Sequence, residues 1–138
     1  MELDEDGSLS DAFWAVSHAL RRLGRETLAP WDVSPSQARA LGMLVRHGDM
    51  RLSGLSEHLR IAPRSGTEVV DGLEERGLVH RSPDPADRRA TVVAVTEEGS
   101  RVAHAIREAR GAEAERFFAV LSDTDRADLA RILRTLAG

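Results

Sequence analysis

Apolar residues recur every three or four positions near both ends of the chain, the pattern of amphipathic helices. The first such stripe predicts a helix over residues 10–28, which Ala29-Pro30 ends because a residue before proline avoids the helical conformation. Ser8 or Ser10 can cap this helix. A second stripe, over residues 129–136, predicts the last helix.

The sequence Ser34-Pro35-Ser36-Gln37 is a strong signature of a helix start. The first serine fits the N-cap, the proline the first helical position, and the glutamine completes a capping box. This second helix is expected to end at His47-Gly48. Residues 50–52 then predict a short extended segment, and Ser53 is the expected N-cap of a third helix.

A fourth helix is expected to begin at Pro63 and to end at Arg76-Gly77, where glycine suits the left-handed conformation. The period then changes to two. Residues 78–81 and 91–95 predict two strands, joined by the polar segment 82–90 as a hairpin with a long tip. The inward face of the fourth helix is expected to carry Thr67, Val69, Val70 and Leu73.

Thr96 is the expected cap of a long fifth helix, in which Glu97 and Arg101 are spaced for an ion pair. Ser122 is the expected cap of the last helix. The predicted fold is therefore mainly α with a small β-hairpin, in a single domain over residues 1–138.

Composition narrows the class of protein. A hydrophobic share of 41% in 138 residues allows a buried core. The absence of cysteine excludes disulfides, thiolate metal sites and cysteine nucleophiles. No apolar run approaches the ~20 residues of a membrane span, and the acidic opening 1–6 lacks the cationic start of a signal peptide. We therefore expect a cytoplasmic protein.

The net charge of −4 argues at first against a nucleic-acid partner. The charge is uneven, however. Residues 34–96 carry +1, whereas residues 1–33 carry −4 and residues 97–138 carry −1. The arginines that cluster along this middle part are Arg60, Arg64, Arg81, Arg88 and Arg89.

Two short helices followed by a two-stranded hairpin is the element order of a winged helix-turn-helix. An α-helix fits the major groove of DNA, and residues of its first turn reach the base edges. In that turn Arg64 can bind guanine and Glu68 can accept a hydrogen bond from cytosine N4. Arg88 and Arg89 at the hairpin tip can enter an adjacent minor groove. The expected DNA contacts are Ser36, Arg60, Arg64, Ser65, Thr67, Glu68, Arg88 and Arg89.

The arginines among these residues also have a simpler interpretation. Arg64 could be an ordinary solvated helix residue. Arg88 and Arg89 could do no more than form surface salt bridges with Asp84 or Asp87, which are worth about 0–1 kcal/mol. The corresponding alternative function is a winged-helix interaction module that dimerises without binding duplex DNA. Cations at a helix start and at a hairpin tip together favour DNA.

Four segments of the chain occur in an order and spacing that is typical of one family. The segments are LSEHL (55–59), VVDGLEERGLV (69–79), DPADRR (84–89) and VAVTEEG (93–99). On these motifs the chain resembles the MarR family of bacterial transcription regulators over about residues 10–137. The most specific part runs from Leu73 through the hairpin to Thr96.

The resemblance implies a homodimer, in which helices of residues 8–30 and 97–138 interlock and residues 34–96 bind half of a pseudo-palindromic operator. It also implies repression by covering promoter DNA, with release by a small anionic or phenolic effector in many members. The chain departs from the family pattern at Glu68, where many members carry a cation or small polar residue. It departs also at Ala62, which lacks a capping side chain.

An effector cavity could lie between the dimerisation helices and the DNA-binding part. Trp14, Trp31 and Met43 are the expected lining residues, and His18 and Arg22 would anchor an anionic group. The alternative is that aromatic residues at helical spacing simply belong to the core. The sequence does not identify the effector beyond a small aromatic or anionic molecule.

Metal and enzyme interpretations have little support in the sequence. The five histidines lack the paired spacing of a zinc site. The chain has no glycine-rich phosphate loop, no G-x-S-x-G turn and no spacing that singles out a nucleophile with its base. We therefore expect neither cofactor nor catalysis.

Overall fold

The computed structural model describes residues 7–138, which form six α-helices and three short strands. The acidic opening 1–6, on which the expectation about a signal peptide rests, lies outside these residues. The order confirms the predicted mainly α fold with a hairpin wing. The elements are α1 (Leu9–Glu26), α2 (Pro35–His47), β1 (Met50–Arg51), α3 (Leu52–Leu59), α4 (Pro63–Glu75), β2 (Val79–Pro83), β3 (Thr91–Val95), α5 (Glu97–Phe118) and α6 (Asp123–Ala137).

The hydrophobic core lies where α2, α3 and α4 meet the sheet. Leu41 of α2, Leu55 of α3 and Leu73 of α4 are fully buried there, together with Val93 of β3. Burying one such side chain stabilises the fold by about 1.5–3 kcal/mol. Ile106 of α5 belongs to the same core, which holds α4 in place at the surface.

The three strands form an antiparallel sheet in the order β1-β3-β2. Met50 of β1 lies opposite Val93, and Val79 of β2 lies opposite Val95. The first hairpin strand extends two residues beyond its predicted end at residue 81, to Pro83. We call β2, β3 and the connecting residues 84–90 the wing.

Most predicted helix ends are confirmed because they depend on local chemistry. The Ser34 hydroxyl accepts a hydrogen bond from the Gln37 amide (3.1 Å), and the Gln37 side chain accepts one from the Ser34 amide (2.9 Å). The Thr96 hydroxyl caps α5 by accepting a hydrogen bond from the Gly99 amide (3.0 Å). Gly77 has a φ of 73°, the left-handed conformation expected after α4.

Two local predictions are wrong. Ser53 does not cap α3, because the strand pairing of β1 carries the chain directly into the helix and makes Arg51 the N-cap residue, without a side-chain hydrogen bond. Arg101 pairs with Glu98 rather than with Glu97. Residues three apart are also neighbours on a helix surface, so this spacing competes with the predicted one.

The first helix ends at Glu26, two residues before its predicted end. The Thr27 hydroxyl donates to the Leu23 carbonyl (2.7 Å), and Ala29–Trp31 then forms a short 3-10 turn that contains Pro30. The proline therefore acts after the helix has already ended.

The terminal helices leave apolar side chains in solvent. The α1 helix has no buried residue, and Phe13 is 49% exposed. On α6, Ile132 is 47% and Leu136 is 75% exposed. None of the helices within residues 7–138 is long and apolar enough to cross a membrane. A single copy of the chain thus leaves its two terminal stripes incompletely covered.

Candidate nucleic-acid interface

A tight turn joins α3 to α4. Arg60 adopts the left-handed conformation (φ 56°), which is uncommon for a residue with a side chain. Its amide donates to the Glu57 carbonyl, and the Ile61 amide donates to the Ser56 carbonyl (3.1 Å). This turn leaves the Arg60 side chain exposed beside the start of α4.

The first turn of α4 presents polar groups to solvent. The Arg64 side chain is 93% exposed and the Glu68 side chain 72% exposed, with 3.8 Å between Arg64 Nε and Glu68 Oε1. Ser65 is exposed as well. The Thr67 hydroxyl, by contrast, donates to the Pro63 carbonyl of its own helix (3.1 Å). The structure therefore exposes three of the four side chains of this turn that are expected to contact DNA.

The N-terminus of α4 has no side-chain cap, because its N-cap residue is Ala62. First-turn amides of such a helix have no carbonyl partner within it and can bind a phosphate. Ser36, another expected contact, lies in the first turn of α2 and is half-buried.

The wing tip carries two exposed arginines, which differ in whether they form an ion pair. Arg89 is 92% exposed, and its Nε donates to Asp87 Oδ1 (3.2 Å). This bond lowers the pKa of the Asp87 carboxyl below its usual range. Arg88 is exposed and forms no ion pair within residues 7–138. The surface pairing considered from the sequence thus holds for Arg89.

An ion pair fixes the wing to β1 at the point where β2 ends and the connecting segment begins. Arg51 Nε donates to Asp84 Oδ2 (2.6 Å), and the Ala86 amide donates to Asp84 Oδ1 (2.8 Å). The bond from the Ala86 amide, followed by the one from Arg51, lowers the pKa of Asp84. The sequence gives no sign of this contact, because it joins residues 33 positions apart.

Arg81 joins the wing to α4. Its guanidinium lies 2.6 Å from Asp71 Oδ1 and 3.0 Å from Glu74 Oε1, and its amide donates to Glu74 Oε2 (2.8 Å). The hydrogen bonds from Arg81 lower the pKa of Glu74. Arg81 is one of the clustered arginines in the sequence, but its guanidinium pairs with the Asp71 and Glu74 carboxylates of α4.

A cavity of about 520 Å³ lies between α2 and α5. We call it the α2–α5 cavity. None of its lining residues, all within the described part of the chain, carries a carboxylate. Burial lowers the pKa of Arg110, whose Nε donates to the Gly24 carbonyl of α1 (3.3 Å). The cationic and titratable lining residues are Arg39, Arg46, His104, Arg107 and Arg110.

Of the five residues expected to line an effector cavity, Met43 lies in the wall of this one. Trp14, His18 and Arg22 are exposed on α1, and Trp31 packs against the core. The arginines of α5 could not be singled out from the sequence, because the packing of α2 against α5 leaves no local pattern.

A packed helix-turn-helix, an exposed first turn of α4 and a wing tip with two exposed arginines define a winged-helix DNA-binding protein. Comparison with known proteins agrees with this class. Residues 33–91 match the model of the MarR family. An uncharacterized HTH-type transcriptional regulator of Mycobacterium bovis is 39% identical over 110 residues, which cover 78% of this chain and 76% of the relative. The chain belongs to the MarR family and is a DNA-binding transcriptional regulator.

Further relatives extend this result. The transcriptional repressor MdtR of Bacillus subtilis is 28% identical over 112 residues, 81% of this chain and 72% of MdtR. The crystal structure of YusO from Bacillus subtilis, 25% identical, superposes with a TM-score of 0.83 and covers 98% of both chains. Apo MarR from E. coli, 23% identical, has a TM-score of 0.88 over 98% of this chain and 100% of its own, which shows the shared fold.

Proposed function

We propose that the protein is a homodimeric repressor, which binds a pseudo-palindromic operator and covers the promoter. In this proposal residues 34–96 contact DNA, and residues 8–30 and 97–138 pair the subunits. The name of the relative MdtR, a transcriptional repressor, supports the direction of regulation. A protein that regulates promoter DNA works where the bacterial chromosome lies, in the cytoplasm.

The exposed Arg64 carries the proposal for DNA contact. It stands in the first turn of α4, where a side chain reaches base edges when the helix enters the major groove. Ser65 and Glu68 would contact bases beside it, while Arg60 and Ser36 would bind phosphates. Arg88 and Arg89 would enter the flanking minor groove. Thr67 would contribute its methyl group, because its hydroxyl is bonded within the helix.

The exposed apolar side chains of α1 and α6 support the dimer. Leu9, Phe13 and Trp14 on α1 and Ile132 and Leu136 on α6 are all at least 47% exposed. An apolar surface of this kind is typical of a subunit interface rather than of a soluble monomer. Pairing of the two stripes would place two copies of α4 about one helical turn of DNA apart.

A fluorescence anisotropy titration on DNA from upstream of the gene, repeated over a range of salt concentrations, tests the proposal. We expect the logarithm of the affinity to fall linearly with the logarithm of the salt concentration, because bound phosphates release counterions. An affinity that does not depend on salt, or no binding to any fragment, would contradict DNA contact. An in vitro transcription assay on the bound fragment then separates repression from activation.

The α2–α5 cavity supports regulation by a small organic anion. Its arginines have no carboxylate partner within residues 7–138, so an aromatic carboxylate could pair with them while its ring contacts Met43 and Ile106. An anion bound between a dimerisation helix and the helix-turn-helix would shift the two parts relative to each other. Trp14, His18, Arg22 and Trp31 do not line this cavity, so their predicted contact with an effector is separate from this proposal.

Benzoate is a suitable first probe for this proposal. We expect it to weaken DNA binding by the wild-type protein and to have a smaller effect on Arg107→Ala. Arg101→Ala removes a cation from the same helix outside the cavity and is the matched control. An equal response of both variants would contradict a site in the cavity.

A further inference from the structure

The outer face of α4 has an unusual charge pattern for a helix that enters DNA. Gly66, Val70 and Leu73 are buried on one side of the helix, which turns Arg64, Glu68 and Glu75 to the opposite, exposed side. Among the thirteen residues of α4, Arg64 is the only cation. Since phosphates repel the acidic side chains, these side chains add nothing to phosphate binding, and any favourable contact they make with DNA is a contact with a base.

Only part of this acidity is neutralised within the protein. Arg81 binds Asp71 and Glu74, so these two carboxylates have a partner before DNA arrives. Glu68 has only Arg64, at 3.8 Å, among the residues that the structure describes, and both side chains are largely exposed. Such a surface pair is weak and screened by salt, so both groups can exchange it for another partner.

A carboxylate that enters the major groove loses water and must find a hydrogen-bond donor. The donors on that surface are N4 of cytosine and N6 of adenine. Adenine also presents the acceptor N7 next to N6, which repels a carboxylate. The edge of cytosine carries the N4 donor without an acceptor of its own. Glu68 is therefore expected to select cytosine, whose N4 group donates a hydrogen bond to the carboxylate. Thymine and guanine are disfavoured, because the oxygens O4 and O6 that they present in the major groove repel a carboxylate.

Arg64 supplies the complementary contact. Residues four apart are separated by about 6 Å along a helix, which is about two base steps of about 3.4 Å. Within that distance the guanidinium can bind O6 and N7 of a guanine while Glu68 contacts a cytosine. In the free protein the two side chains lie 3.8 Å apart on the exposed face.

We propose that Arg64 and Glu68 act as a pair that selects operator half-sites containing a guanine and a cytosine about two base steps apart. Glu68 is then a specificity-determining residue, which excludes DNA that does not offer a donor at its position. This inference rests on the proposed entry of α4 into the major groove and adds the sequence class of the operator.

Selection from a library of randomised duplexes tests the pair, with wild-type protein and Glu68→Gln in parallel. We expect the wild-type sites to hold a fixed cytosine in each half-site, near a fixed guanine. Replacing that cytosine by thymine should weaken binding by the wild-type protein about tenfold or more. The carboxamide that Glu68→Gln introduces can bind N6 and N7 of adenine together, so the sites selected by this variant should change from cytosine to adenine at that position.

Glu75→Gln is the matched control, because Glu75 is an exposed acid on the same helix, seven residues farther along, and the charge change is identical. We expect it to bind the wild-type sites with an unchanged preference. If Glu68→Gln and Glu75→Gln both tighten binding to all duplexes equally, Glu68 acts only through its charge and the inference is wrong. Specific sites that lack the cytosine would also overturn it, while leaving the proposed function intact. Failure to bind any duplex would overturn both.

Discussion

The hydroxyl of Ser56 occupies the space in which a side chain at residue 66 would begin. A Cβ atom added to Gly66 would lie 1.9 Å from Ser56 Oγ, far inside van der Waals contact. Ser56 is buried, and its hydroxyl donates to the Leu52 carbonyl (3.0 Å), so it has little room to move. The crossing of α3 and α4 is therefore set by the absence of a side chain at Gly66, and this crossing orients the helix that carries Arg64.

Gly66→Ala should destabilise the protein. The added methyl group must push α4 away from α3, and overpacking of this kind costs about 1–3 kcal/mol. Combining it with Ser56→Gly removes the clashing hydroxyl, so the double variant should be more stable than the sum of the single effects predicts. Urea unfolding of the four proteins measures this coupling. Strictly additive effects would show that the two residues do not determine the crossing.

Arg81→Ala should weaken DNA binding without changing its salt dependence. The variant loses the contacts between the wing and α4, and it leaves Asp71 and Glu74 without their cation. No phosphate contact is lost, so the salt slope should stay the same. Binding titrations at several salt concentrations measure both quantities, with Arg101→Ala as a control outside the interface. A slope reduced by about one would instead identify Arg81 as a phosphate contact.

The hydrogen bonds of Asp84 should make the stability of the protein depend on pH. Hydrogen bonds hold the pKa of Asp84 below its usual range in the folded protein. Stability from a lowered pKa is fully present above the unfolded-state value, near 4, and is lost as the pH falls through the folded-state value. Asp84→Asn should thus be less stable than the wild-type protein at pH 7, and the difference should shrink in acid.

Urea unfolding at neutral and acidic pH measures this change. Asp49→Asn is a suitable control, because Asp49 is exposed and forms no ion pair within the described residues. A difference between Asp84→Asn and the wild-type protein that is constant with pH would show that the carboxylate charge does not hold the wing.

Charged substitutions on α6 should separate the subunits. Ile132→Glu and Leu136→Glu place a carboxylate on the apolar stripe that the proposed partner would cover, and a buried, unpaired charge opposes association. Sedimentation should show a species of about twice 15.1 kDa for the wild-type protein and the single mass for the variants. Arg126→Glu, at an exposed polar position of the same helix, should remain a dimer. A monomeric wild-type protein at micromolar concentration would contradict the dimer.

The sequence predicted the features that depend on neighbouring residues. The capping box of Ser34 and Gln37, the left-handed Gly77 and the hairpin between residues 79 and 95 follow from local chemistry and periodicity. The resemblance to the MarR family is likewise confirmed.

Contacts between distant residues could not be predicted in this way. The pairs of Arg51 with Asp84 and of Arg81 with Asp71 depend on how strands and helices meet in space. The sequence shows that these residues are cations, but it does not show which carboxylates they pair with. The close approach of Ser56 to Gly66 could not be predicted either. A glycine within a helical segment can reflect close packing, a functional role or a nearby helix end, and the sequence does not distinguish these causes.

Interference footprinting with dimethyl sulfate tests most directly whether α4 and the wing of one subunit contact adjacent grooves. The reagent methylates guanine N7 in the major groove and adenine N3 in the minor groove. We expect interference at major-groove guanines in two half-sites about one helical turn apart, flanked by minor-groove adenines. Arg64→Ala should abolish only the major-groove signal, and the double variant Arg88→Ala/Arg89→Ala only the minor-groove signal. Interference confined to one groove, or the same loss in both variants, would contradict the account.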